Sequence, residues 1–395
     1  MPRELKGYCG GNNGDYHVNE LEFFKSPEDE SFSVILTKKK VLEVISGFVD
    51  CYKARINRYT QLPDNTLGID IGKYIYAYWT PDTAYGFGYY SYGALGYYEG
   101  NNTIGYSKIP RIIYQSSKKI KTVVCGSKFI CILFEGGTVK YSGQICDSVR
   151  IQVGFKDALQ YNEDKMIEPI TNVRKISAGR KHCAIIKQDN TLWMMGDNED
   201  KQLFLDRKKR TSKFRKTEYE VKDVSCGSFV TFIITLDNRI LSTGKNCNRI
   251  ISNNNEWNSG ENVDKPYVEH RLPDDYIPEK LYSGDFHTLV ITKLEETGDD
   301  QLFGIGSNGH NQLTDCIFDN YSEFTRINVA GKIISMQVAS YNTLIHYELH
   351  LSWKYLRQIY IGHISTDKGN NSLLRLLPIE LIRKIIEMIA NITYL

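Results

Sequence analysis

The chain has 395 residues, enough for one large core or two domains, with an ordinary 41% hydrophobic and 24% charged residues. Its formal net charge of +2 excludes a global electrostatic pull toward nucleic acid or a membrane surface. No apolar run is long enough to span a bilayer, and the first thirty residues lack the basic-then-apolar order of a signal peptide. The nine cysteines include no Cys-x-x-Cys pair and no metal-spaced cluster. They read as reduced thiols of a protein working inside cells, in cytoplasm or nucleus.

In chain order, "GYCGGNNGDY" at 7–16 has the form of a repeat tail without its head. "EDESFSVILTKKKVLEVISG" supplies a hairpin-like pair near 32–46. A glycine-anchored unit follows and recurs at Gly72, Gly126, Gly179, Gly227 and Gly284, at intervals of 54, 53, 48 and 57 residues. After Gly126, Gly179 and Gly227 a turn begins ten residues on, at Gly136, Asp189 and Asp237. A second glycine falls at seventeen, at Gly143, Gly196 and Gly244. "ASYNTLIHYELHLSW" continues the series with Ser340 at the glycine position, making about seven units.

Each unit reads as two β-rich runs joined at Asp-Asn or Gly-Gly, an antiparallel hairpin. Leading segments such as "VRKIS" and "VKDVS" add another strand. The runs are almost continuously apolar, as expected of strands buried on both faces. One small sheet cannot bury both faces alone, whereas stacked neighbours can. The expectation is an all-β, seven-bladed β-propeller over 1–362, its N-terminal strand closing the last blade, then a linker at 363–372 and a C-terminal α-helical segment at 373–395.

The Gly-x-x-His anchors (Gly179 with His182, Gly284 with His287) and the Gly-x-Asn-x-x-x-Gln-Leu tails resemble the regulator-of-chromosome-condensation family. The tails are Gly196, Asn198, Gln202, Leu203 and Gly306, Asn308, Gln312, Leu313; "FGYYSYGALGYY" at 87–98 is a third. The resemblance covers most of 20–362 and implies a propeller. The founding member acts on a small nuclear GTPase, so guanine-nucleotide exchange is one implied activity.

The anchor glycines read as backbone devices, either for positive φ or for close strand approach. His182 and His287 read as buried imidazoles satisfying backbone groups of the next blade; a shared metal site is the competing reading. "RKKRTSKFRK", Arg207 to Lys216, reads as an exposed connection carrying Arg207, Lys208, Lys209 and Arg210. It is a solvated loop, a targeting stretch, or a patch for phosphate or an acidic partner. Tyr74, Tyr76 and Tyr78 are expected on one strand face, and Tyr89, Tyr90, Tyr92, Tyr97 and Tyr98 in a tail loop that either packs or serves protein recognition. The polar stretch 252–278 reads as a surface loop with Trp257 as an anchor.

The tail "LPIELIRKII" resembles the start of an F-box, through Leu377, Pro378, Glu380 and Leu381, with Ile385 on the same apolar stripe. That resemblance implies a Skp-type adaptor of a cullin ubiquitin ligase, as in repeat proteins of large DNA viruses, whose site of action is a host cell. With the sequence ending at Leu395, only the first helix of an F-box is expected. Packing of this helix on the propeller is the alternative. No P-loop, nucleophile elbow, zinc-spaced cluster or dinucleotide fingerprint occurs. The expectation is a monomeric, non-enzymatic, cofactor-free scaffold for a protein partner, not for nucleic acid or membrane. A ligase substrate receptor is its most specific form, and nucleotide exchange is the alternative.

Overall fold

The glycine-anchored units fold as antiparallel meanders. The computed structural model describes residues 5–9, 33–36, 41–45, 59–61, 63, 65–89, 92–96, 106–147, 152–162, 166–205, 210–246, 267–308, 313, 320–327, 331–338 and 343–349. All of the regular structure there is strand. Among the described residues no helix is long and apolar enough to cross a membrane. The tail at 363–395, with the F-box-like Leu377, Pro378, Glu380, Leu381 and Ile385, lies outside the described residues, as do Tyr90, Arg207, Lys208, Lys209 and Trp257.

The first sheet joins Ser33–Leu36, Val41–Ile45 and Tyr59–Gln61. The 68–115 sheet orders Gly68–Ile71, Ile75–Trp79, Thr83–Tyr89 and Tyr106–Gln115. The 120–157 sheet repeats this with Ile120–Cys125, Phe129–Phe134, Val139–Gly143 and Gln152–Asp157. Val173–Ala178, His182–Lys187 and Thr191–Gly196 are completed by the first part of the 16-residue strand Thr211–Cys226. The second part of that strand opens the next sheet, with Val230–Thr235, Ile240–Gly244 and Val268–His270. Tyr276–Ser283, His287–Leu294, Asp300–Gly306 and Tyr321–Ile327 form the 276–327 sheet. Gly331–Val338 and Thr343–Leu349 follow, and Leu5–Cys9 pairs with the latter, Leu5 opposite Glu348 and Cys9 opposite Leu344.

Continuous apolar runs are explained by where alternate side chains go. In Phe129–Phe134 every residue is buried. Phe129, Cys131 and Leu133 pack toward the 173–220 sheet, with Ile176, Cys183 and Ile185. Ile130, Ile132 and Phe134 pack the other way, with Ile75, Ala77 and Trp79. The same division recurs at His182–Lys187, where Cys183 and Ile185 face one neighbour and Ala184 and Ile186 the other. Each sheet is the interior of two others, so period-2 geometry gives two apolar faces instead of one. Cys125, Cys131, Cys146, Cys183 and Cys226 are free and buried.

The two glycine series do different work. A Cβ on anchor Gly72 would stand 2.0 Å from the carbonyl oxygen of Gly126; on Gly179, 2.3 Å from that of Gly227; on Gly227, 2.6 Å from that of Gly284. Gly72, Gly179 and Gly227 are therefore close-approach glycines, one backbone lying on the next, while a Cβ on Gly126 would meet the Phe129 ring at 2.0 Å. Positive φ belongs to the second series, Gly88 (104°), Gly143 (101°), Gly196 (124°), Gly244 (124°) and Gly306 (108°).

Several expectations are corrected. The Arg207–Lys216 stretch is not a loop throughout, because Thr211 onward is strand. The 252–278 stretch contains the strand Val268–His270 and the start of another. Tyr74 precedes its strand and is 39% exposed, while Tyr76 and Tyr78 are buried and stack on Phe87 and Tyr85. A hairpin at Leu159–Asn162 and Met166–Pro169, without counterpart in the repeat, touches Thr211–Cys226 through Gln160 and Phe214.

Candidate protein-binding face

The strand-to-strand loops after each anchor glycine gather at one end of the sheets. They are linked directly: Ser127 N–H donates to the Arg180 carbonyl at 3.1 Å, and Arg180 N–H to that of Ser228 at 3.2 Å. The residue after each closing glycine ties in as well. Gln144 N–H donates to Lys128 O, Asp197 to Lys181 O, Lys245 to Phe229 O and Ser307 to Phe286 O, at 2.8–2.9 Å. This end is thus a fixed backbone ledge with repeat-equivalent side chains on it.

The tail loops wedge in beside the ledge. Asn198 Oδ1 accepts from Leu203 N–H at 2.9 Å, and Asn308 Oδ1 from Leu313 N–H at 2.8 Å. Both asparagines are fully buried. The next sheet holds the tail by a hydroxyl one residue before its closing glycine: Ser142 Oγ donates to Gly93 O, and Thr243 Oγ1 to Lys201 O. Thr231 Oγ1 donates to Gln202 O at 2.7 Å.

His182 and His287 are buried beneath this face. His182 Nε2 lies 2.9 Å from Thr231 Oγ1, and His287 Nε2 2.8 Å from Thr343 Oγ1. The side-chain partner is a threonine hydroxyl of the following sheet, and His182 also has a backbone hydrogen bond at Val230 of that sheet, the kind of partner the sequence suggested. The Thr231 proton is committed to Gln202, so Nε2 of His182 carries the proton of a neutral imidazole. Burial depresses both, His182 to about 4 and His287 to about 3. His270, 2.6 Å from Ser242 Oγ, is pushed by burial to about 3. Among the described residues no group of three or more His, Cys, Asp or Glu could hold a metal ion.

These histidines make stability pH-dependent. Their folded pKa values lie below the ordinary value near 6.5, so the unfolded chain takes up the protons first. Stability is full above about pH 6.5 and is lost as pH falls toward 4, by up to ~1.4 kcal/mol per pH unit per histidine. Asp70 opposes one of them. Burial raises its carboxyl to about 6 against the amide hydrogen bonds from Cys125 and Ile71, so its contribution fades as pH rises. Burial raises the Asp200 carboxyl as well, and the three histidines outweigh the two carboxylates, so the urea midpoint is expected to drop between pH 6.5 and 5. A midpoint flat across that range would overturn the assignment, and His287→Gln should shallow the slope.

On the ledge, cations and aromatics pair. Lys128 Nζ lies 3.9 Å from the Tyr92 ring centroid. Arg180 and Lys245 both lie over Phe229, at 5.1 and 5.7 Å. Lys181, the equivalent of Lys128, instead meets Asp147 at 2.8 Å. The hydrogen bond from Lys181 holds the Asp147 carboxyl below its usual range, with Lys128 and Arg210 adding to the field. The same contact raises Lys181.

The structure thus brings Tyr92 and Arg210 of the predicted residues to this end. Tyr89 ends a strand of the 68–115 sheet. Lys128, Asp147, Arg180, Lys181, Phe229 and Lys245 were missed. Four of them were findable, since Lys128, Arg180, Lys181 and Phe229 occupy the first and second positions after an anchor glycine.

Residues 173–202 match the family model of the regulator of chromosome condensation (RCC1) repeat. Together with the sheet architecture this makes the chain an RCC1-like repeat protein. Over 243 residues it is 22% identical to the guanine nucleotide exchange factor SRM1 of Saccharomyces cerevisiae, a match covering 57% of this chain and 48% of that one. The match thus takes in about half the length of that relative. The fold is similar to human WBSCR16 (TM-score 0.59, 16% identity, 73% of this chain and 74% of that one). It is also similar to yeast RCC1 (Prp20) in its crystal structure bound to Kap60 (TM-score 0.57, 18% identity, 71% and 67%). At these identities the likeness carries the propeller fold alone.

Proposed function

We propose that the chain is a non-enzymatic protein-interaction scaffold, a seven-bladed ring that presents the ledge at its anchor-glycine end to a protein partner. The seven-blade reading is supported by the strand order among the described residues: six sheets, one of them two meanders sharing Thr211–Cys226. Pairing of Leu5–Cys9 with the last sheet supports closure of the ring by the N-terminal strand. The observation that carries the function is the ledge itself. Its backbone is fixed by sheet-to-sheet hydrogen bonds, while Lys128, Tyr92, Arg180 and Phe229 are only partly buried upon it. Rigid aromatic and cationic side chains bind protein with little entropy left to lose.

Affinity capture with the full chain tests this. Partner recovery should fall sharply in the Lys128→Glu, Arg180→Glu double variant. It should persist in Lys118→Glu, Lys119→Glu, exposed at the opposite end of the sheets. Equal recovery in both would overturn the assignment of the face.

Nucleotide exchange on a small GTPase is the second reading, favoured by the name of the yeast relative. Under it the chain would hold a GTPase most tightly in the nucleotide-free state and accelerate release of labelled GDP. Binding without acceleration would leave the scaffold. The ligase-receptor form places the adaptor on residues 373–393. It requires Skp- and cullin-type proteins in the capture that disappear on truncation at residue 366.

A further inference from the structure

We infer that the cationic cluster of Lys128, Lys181 and Arg210 docks a carboxylate-rich protein segment, and that Asp147 fills this site in the free chain as an internal competitor. The inference deepens the scaffold reading and rests on it. Asp147 shows what the site accepts, a carboxylate seated on Lys181 at 2.8 Å within the field of Lys128 and Arg210. Its side chain is 52% exposed and that of Lys181 32%. An ion pair so open to water is weak, and a multivalent acidic segment can displace it. Lys128 is held in place over Tyr92, and Arg210 is exposed and acts on Asp147.

The chemistry favours an acidic protein over nucleic acid. Lys128 lies over Tyr92, and Arg180 and Lys245 lie over Phe229, so a base stacking on those covered faces must displace a cation. Asp197 also acts on Lys181, and Asp197 and Glu199 act on Asp200. This nearby negative charge would repel a long polyphosphate more than a short segment with a few carboxylates.

The test uses the full chain, a fluorescein-labelled ten-residue peptide carrying three glutamates and anisotropy at low and physiological salt. Asp147→Asn should tighten binding about 3- to 10-fold, by removing the competitor while keeping the shape. Lys181→Glu should weaken it at least ~10-fold. Lys118→Glu, Lys119→Glu should leave it unchanged, with melting temperatures confirming that all variants fold. Unchanged or weakened affinity in Asp147→Asn overturns the competitor. Unchanged affinity in Lys181→Glu, or tighter binding of a labelled ten-nucleotide single strand than of the peptide, overturns the docking site. A captured partner that still binds Lys181→Glu but not Lys128→Glu, Arg180→Glu would leave the scaffold standing and this proposal fallen.

Discussion

Replacing Gly196 by alanine is expected to destabilise the chain by about 3–5 kcal/mol, read as a large fall in the urea midpoint. Two independent penalties meet at this position. Its φ of 124° lies where residues with a Cβ are strained. The added carbon would also stand 2.4 Å from the Lys181 carbonyl oxygen and 2.5 Å from the His182 Cα. Both obstacles are backbone, fixed by the pairing of His182 with Gly196, so no side chain can swing aside. Relief would require separating two strands whose residues serve two cores at once. Gly136→Ala is the control, because a Cβ there meets nothing within 4 Å and its φ is not positive. It should move the midpoint by no more than ~0.5 kcal/mol. Equal effects at the two sites would remove the distinction between closing and turn glycines.

The same comparison explains what could be read from the amino acids. The repeat was legible because its constraints recur locally: a glycine where one backbone lies on the next, and another at positive φ seventeen residues on. The doubly apolar strands were legible for the same reason. The strand Thr211–Cys226 was not. Its buried residues in the first part are Thr211, Phe214, Thr217 and Val221, a spacing that is not two. Register shifts against Thr191–Gly196 break the alternation, so a basic composition read as loop. The candidate face was half hidden by a different cause. Lys181 and Asp147 are 34 positions apart, in loops of different sheets, and no local pattern joins them. Inter-sheet amide bonds were hidden likewise. Ser177 Oγ accepts from Cys226 N–H, Ser225 Oγ from Ser283 N–H, and Asp70 occupies the same place toward Cys125. One position serves three times with two residue types, recognisable only once the anchors are aligned.

Deleting residues 1–18 should lower the melting temperature by about 5 °C or more. Leu5–Cys9 pairs along its whole length with Thr343–Leu349, so its loss leaves that strand with Gly331–Val338 as its partner within the sheet. The exposed edge can recruit other chains, and the truncated protein should aggregate sooner on heating. A two-stranded remnant is marginal in water, yet it carries Ile333 and Met336, which pack with Leu289, Ile291 and Leu302 of the preceding sheet. Loss at the end of the stack therefore propagates one sheet inward. In a closed ring it also frees the first sheet from the last, so the loss should exceed that from trimming any one edge. Deleting residues 1–3 should leave the melt unchanged. Adding back a peptide of residues 1–18 should restore it, since strand addition supplies the missing backbone hydrogen bonds. A truncated chain that melts like the full one would show that the last sheet stands without its N-terminal strand, and closure would then have to be sought elsewhere.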